Sequence, residues 1–124
     1  KREVNMYKVE KTAETLFEGV TNMTNGAKED YIKMSTRGEE ELSGYCKQQV
    51  DTWDDQIKVK AGQKYIKIIR DHSVFAFVNI KNPNFKVGDI FKPAGFNKPA
   101  LNAARGNVLE GGYHIQWTGP LYLI

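Results

Sequence analysis

Along the first part of the chain the apolar residues recur every three or four positions. Val9, Ala13, Leu16, Phe17 and Val20 share one face at that spacing, and Thr24, Asn25 and Gly26 follow as a polar, flexible stop. The pattern predicts an amphipathic helix over residues 12–23. Before it, Val4, Met6 and Lys8 are too few to set a period. After it, YIKMST (31–36) predicts a short strand. Thr36 and Glu39 then have the spacing of a capping box, in which a hydroxyl and a carboxylate each accept from a backbone N–H at a helix start. Leu42, Tyr45, Cys46, Gln49, Val50 and Trp53 line one face of a second helix. Asp54 and Asp55 would oppose the negative end of its dipole, so it is expected to end near Trp53.

Beyond Trp53 the period drops to two. IKVK (57–60) and QKYIKIIR (63–70) predict two strands joined through Ala61 and Gly62, and SVFAFVNI (73–80) follows a tight connection at Asp71, His72 and Ser73. Val74 to Val78 are apolar without alternation, as in a central strand covered on both faces. A looser hairpin, KNPNFKVGD (81–89), leads to IFKPAG (90–95), a strand that Pro93 must end or confine to an edge because it has no N–H for the ladder. Asn97 is then placed to cap a short helix with Pro99 in its first turn, Arg105 in its last and Gly106 as its exit. Tyr113, Ile115 and Trp117 alternate with His114 and Gln116 in a half-buried strand, and Gly119-Pro120 turns the chain toward LYLI. Together these elements predict one α+β domain over residues 1–124. Two N-terminal helices pack on a mainly antiparallel sheet, and a short helix is inserted before the last strands.

The composition, 40% hydrophobic and 27% charged, is that of a soluble chain long enough to bury a core without a metal or a disulfide. Cys46 is the only cysteine, which excludes an internal disulfide and agrees with a reducing compartment. No apolar run approaches the ~18 residues of a membrane span, and no secretory signal is present, although the first residue is Lys1 rather than Met. Charge changes the picture more. Residues 1–56 hold 8 Lys or Arg against 12 Asp or Glu, whereas residues 57–124 hold 10 against 3. A chain so divided either carries a basic binding surface or simply collects acids on helices and lysines on strands.

FAFVNI (75–80) followed by VGDIFKPAGFNKPALNAARGNVL (87–109) and the WTGPLYLI tail (117–124) resembles a family of small bacteriophage proteins, with a Gly-Asp-Ile turn, a Lys-Pro-Ala segment, a second Pro-Ala and an Arg-Gly-Asn exit. The resemblance covers residues 73–124. It implies a phage origin and a place in the cytoplasm of an infected bacterium. It brings no activity and no site residues, because that family has no established chemistry.

Catalysis finds little support in the residues. Cys46 with His72 or His114 would make a nucleophile and a base, but Cys46 falls on the apolar face of a helix, where a thiol packs as a small hydrophobe. The two histidines have no ligand at metal-binding spacing, and no cofactor or metal is expected. EEE (39–41) lies in a first helical turn, where acids favour the dipole. Phe75 and Phe77 sit in a strand like that of an RNA-binding platform. The cation, glycine and final aromatic of that motif are missing, and both residues are expected in the core.

The positive candidate is electrostatic. Lys58 and Lys60 share one strand face, Lys64 and Arg70 another, and Lys92, Lys98 and Arg105 bracket the expected Pro-Ala helix, whose start at Asn97 would offer backbone amides to an anion. Lys92, Asn97, Lys98, Arg105, Lys64 and Arg70 are therefore the candidate binding residues for nucleic acid or another anionic partner. The same lysines would also serve solubility and keep strand edges from pairing. The apolar end, WTGPLYLI, offers the alternative: an interaction module that pairs with a host or phage protein or with a second copy as a homodimer.

Overall fold

The computed structural model describes residues 6–36 and 44–121. In chain order the elements are β1 (Tyr7–Val9), α1 (Leu16–Thr36), α2 (Gly44–Asp51), α3 (Trp53–Gln56), β2 (Ile57–Ala61), β3 (Tyr65–Arg70), β4 (Ser73–Asn79), β5 (Ile90–Phe91), β6 (Pro93–Gly95), β7 (Lys98–Pro99), β8 (Tyr113–Gln116) and β9 (Gly119–Pro120). The class is α+β, as the periodicity predicts.

The first helix starts later and runs much further than expected. Thr15 Oγ1 accepts the Glu18 N–H at 3.1 Å, and the Glu18 carboxylate accepts the Glu14 N–H at 2.9 Å, so the free donors of the helix start are met by side chains. From there α1 passes straight through Thr24, Asn25 and Gly26 and absorbs the expected strand at 31–36. Val20, Met23, Ala27 and Tyr31 continue one buried stripe at helical spacing. Gly26 is used for closeness rather than for a stop: a Cβ there would lie 2.6 Å from Val9 Cγ2 on β1. Phe17, assigned to the apolar face, is instead exposed. Thr36 ends α1 with its hydroxyl donating to the Lys33 carbonyl, and Glu39 of the expected capping box lies outside the described residues, as does Leu42.

The second helix stops at Asp51, and a new single turn opens at Trp53 with Asp54 and Asp55 at its start, where carboxylates meet the positive end of the dipole. Trp53 is fully buried and its indole N–H donates to the Thr24 carbonyl at 3.1 Å, fastening this turn to the middle of α1.

β2, β3, β4 and β5 form an antiparallel sheet in that order. β4 lies inside it with Phe75 to Asn79 all buried, as its unbroken apolar run predicts. Between β3 and β4 the register shifts: Ile68 faces Ala76 and Ile69 faces Val74, leaving Phe75 as the extra residue of a bulge. The bulge turns Phe75 and Ala76 into the same core, which Ile66, Ile68, Val78 and Ile90 share with α1. A second sheet, β1-β8-β9, joins the beginning and end of the described chain, and its Val9, Tyr113 and Ile115 enter that core.

The largest departure falls between residues 97 and 105. No helix forms there. Pro93 pairs with Pro99 and Gly95 with Lys98 in a two-stranded hairpin, β6-β7, with Phe96 and Asn97 at its tip. Pro99, expected to open a helix, sits buried in a strand position that asks for no N–H. Beyond it an extended segment covers β5: the Arg105 N–H donates to the Ile90 carbonyl and the Ile90 N–H to the Gly106 carbonyl. Asn107 locks this crossing, its amide donating to Val87 O and Asp89 Oδ1 while its oxygen accepts the Leu109 and Glu110 N–H groups.

Candidate functional site

The four-stranded sheet has two unlike faces. On the inner face Ile66 and Ile68 meet the core, whereas Tyr65, Lys67 and Ile69 alternate onto the outer face. Across that outer face Lys60 stands directly opposite Lys67, Lys67 opposite Phe77, and Phe77 opposite Phe91. Phe77 and Phe91 are closed over by Tyr65 and Phe85, edge to face at centroid distances of 4.7 to 6.4 Å. At the β2 side the row ends in two cations. Facing like charges at paired positions repel, so this pairing costs stability unless something compensates it.

Part of the compensation comes from the β6-β7 hairpin, whose tip reaches over the sheet. The Lys67 ammonium lies 4.2 Å from the centre of the Phe96 ring and donates to Asn97 Oδ1 at 2.5 Å. Between this tip and the β2–β3 turn runs an open groove of about 290 Å³, lined by Lys60, Gln63, Lys64, Tyr65, Lys67 and Asn97 with Phe77 at its floor. Lys58, two residues before Lys60 on the same face, and Lys98, next to Asn97, extend the basic surface, and both are exposed. No carboxylate among the described residues lines the groove. Among the described residues none of Lys58, Lys60, Lys64, Lys67 and Lys98 is in an ion pair. The acids of this half of the chain are used elsewhere: Glu110 pairs with Lys86 at 3.1 Å, Asp71 lies beside His72, and Asp89 accepts from Asn107 and from the Lys86 N–H.

The six residues singled out by sequence divide into two groups. Lys64 and Asn97 line the groove and Lys98 borders it, although Asn97 caps no helix and accepts from Lys67 instead. The other three are turned inward. Arg70 lies over Trp53, its guanidinium carbon 4.2 Å from the ring centre and 5.8 Å from those of Tyr31 and Trp117, with Gln49 Oε1 as an acceptor at 3.4 Å. Burial lowers its pKa. Lys92 donates to the Pro120 carbonyl at 2.7 Å, and Arg105 donates to the carbonyls of Leu121 and Ala103. Burial, and then the neighbouring Arg105 charge, push the Lys92 pKa down. These two cations converge, and what they converge on is the backbone of the C-terminal segment.

Lys67 and Phe96 were missed by sequence reasoning. The alternation of YIKII already sets Lys67 opposite in direction to Ile66 and Ile68, but its neighbour Phe96 depends on a hairpin that the two prolines disguised as a helix start.

Cys46 is half-buried against the core beside the Tyr31 ring, while His72 and His114 are exposed. Among the described residues no group of three His, Cys, Asp or Glu side chains is placed to hold a metal ion. No described helix is long and apolar enough to cross a membrane.

The profile of a family of unknown function, DUF7717, matches residues 1–123, and the chain belongs to that family. The match takes in α1 and α2 as well as the C-terminal half that resembled phage proteins, and it says nothing of a phage source. No curated protein and no solved structure matches the chain.

Proposed function

We propose that this protein is a non-catalytic binding domain for nucleic acid or a similar polyanion, which it takes along the lysine groove of its outer sheet face. The observation that carries the proposal is the unneutralised set of Lys58, Lys60, Lys64, Lys67 and Lys98, with Lys60 and Lys67 held at directly opposed positions. An anion lying across the groove would relieve that repulsion and release its own counterions, which is the main source of sequence-independent affinity for a phosphate backbone. Likeness of residues 73–124 to small phage proteins supports placing this activity in the cytoplasm of a phage-infected bacterium, as an accessory protein.

Fluorescence anisotropy with a labelled oligonucleotide across a salt series tests it. Affinity should fall steeply as salt rises, with a log–log slope of about −0.7 to −0.9 per phosphate contact. Lys60→Ala, Lys64→Ala and Lys98→Ala should each weaken binding and flatten that slope by about one contact. Lys47→Ala, which removes the partner of Asp51 on α2, should change neither. Absence of binding at low salt ends the proposal.

A second reading, pairing with a partner protein or a second copy, draws on β2. It is an edge of the four-stranded sheet that no described strand pairs with, and it is exposed along nearly its whole length. Sedimentation of the pure protein as a monomer at high concentration would remove the homodimer form of this reading.

A further inference from the structure

The hairpin tip adds a feature that lysines alone do not need. Phe96 is 55% exposed, among the most exposed large apolar side chains described. It does not help to fill the core. One side of its ring is taken by the Lys67 ammonium at 4.2 Å, on the groove side. The ring also borders a shallow hollow of about 280 Å³ formed with Ser73, Val74, Pro93, Ala94 and Gly95, whose lining offers apolar surface and no charge. Phe96 thus stands as a wall between a cationic groove and a flat apolar shelf. A strand in the groove would pass beside this ring, because Lys67 under it and Asn97 next to it both line the groove.

We propose that the occupant is single-stranded nucleic acid, with Phe96 as the surface on which one base stacks. This rests on the polyanion reading above and narrows it. A base in a duplex has both faces covered by its neighbours, so only an unpaired strand can present one to an exposed aromatic ring. The arrangement is tolerant of sequence, because every base has a π face and the described lining of the hollow carries one polar side chain, Ser73. Lys67 holds the ring upright from behind, and Lys60, Lys64 and Lys98 follow the phosphates on either side.

Three probes of equal length test this: a labelled oligothymidylate, the same oligomer without bases, and a duplex. Native protein should bind the oligothymidylate tightest. Phe96→Ala should weaken that binding about 5- to 100-fold, the effect of removing one aromatic stacking partner, while leaving its salt slope and its affinity for the base-free oligomer unchanged. Phe96→Trp should restore binding, and its added fluorescence should be quenched by oligothymidylate but not by the base-free strand. Phe96 lies on the surface, so circular dichroism of both variants should match the native protein, and thermal unfolding of Phe96→Ala should show no more than the small loss of its contact with Lys67. Equal affinity for strands with and without bases, with Phe96→Ala silent, overturns stacking and leaves the polyanion reading standing. Tighter binding of the duplex also overturns it, whereas failure of all three probes at low salt removes both.

Discussion

At the scale of single residues, Arg70 shows how a cation can be spent on structure. Its guanidinium sits over Trp53 with Tyr31 and Trp117 also within reach, and its Nε is buried without an acceptor. A planar ion suits that slot and an ammonium does not. Arg70→Lys is therefore expected to destabilise the fold by about 1 kcal/mol, and Arg70→Ala by more, in urea unfolding, without altering the salt dependence of ligand binding. Nearby, Asp30 is fully buried, accepting the Trp117 N–H at 2.9 Å with one carboxylate oxygen while the other has no hydrogen-bond partner. Burial raises its pKa above the ordinary value of 3.8. The folded chain then binds the proton more tightly than the unfolded one, so the ionised carboxylate weakens the fold. That penalty is absent below 3.8, grows as pH rises through the window up to the raised pKa, and is complete above it. Asp30→Asn keeps an acceptor for Trp117. Relative to the native protein, it should gain stability between pH 3 and pH 7, as measured by urea unfolding at each pH.

Elements tell a different story from residues, because their ends depend on what approaches them. The Thr15-x-x-Glu18 spacing that opens α1 was present in the sequence, as was the stripe from Val20 to Tyr31 that prolongs it. Val9 and Ala13 masked the first by carrying the apolar spacing back past the true start, and Gly26 masked the second, since a glycine beside Thr and Asn reads as a terminus until β1 is seen to press against it. By contrast β2, β3 and β4 were legible, being joined by short turns, with period two in the first pair and an unbroken apolar run in the third. The β6-β7 hairpin was not, because Asn97, Pro99 and Gly106 have equally good roles in a helix, and only contact with Lys67 and β5 decides between them. Gly19 gives the sharpest test at this scale. Helix propensity alone gives Ala an advantage of about 1 kcal/mol there. A Cβ at Gly19, however, would lie 2.6 Å from the Val108 carbonyl oxygen, which is backbone and cannot swing aside. Gly19→Ala should therefore destabilise by about 1 to 3 kcal/mol, measurable as a lower urea midpoint.

Across the whole molecule, the excess positive charge of the second half is divided between two tasks. Lys92 and Arg105 hold the carbonyls of Pro120 and Leu121, whereas the outer sheet lysines face open space. Arg105→Ala should lower the melting temperature by several degrees, roughly 4 °C for each kcal/mol lost in a domain of this size. It should also speed amide exchange around residues 119–121, with little effect on the salt slope. Lys98→Ala should show the reverse: unchanged melting and a flatter slope. Sequence could count these cations but not sort them, because their partners are backbone groups far along the chain.

The pairing of β1 with β8 sets Tyr7 against Ile115 and Val9 against Tyr113, and α1 lies against both strands. During synthesis the β2-β3-β4 hairpins can close as soon as they leave the ribosome, for each strand pairs with the one just made. Helix α1 has β1, α2 and Trp53 close by in the chain, but not the strand that completes its cover. Trp53 and the inner faces of β3 and β4 cover part of its apolar stripe early, but the side that meets β8 stays open until residues 113–116 arrive, and a chain halted before them is most prone to aggregate through this helix.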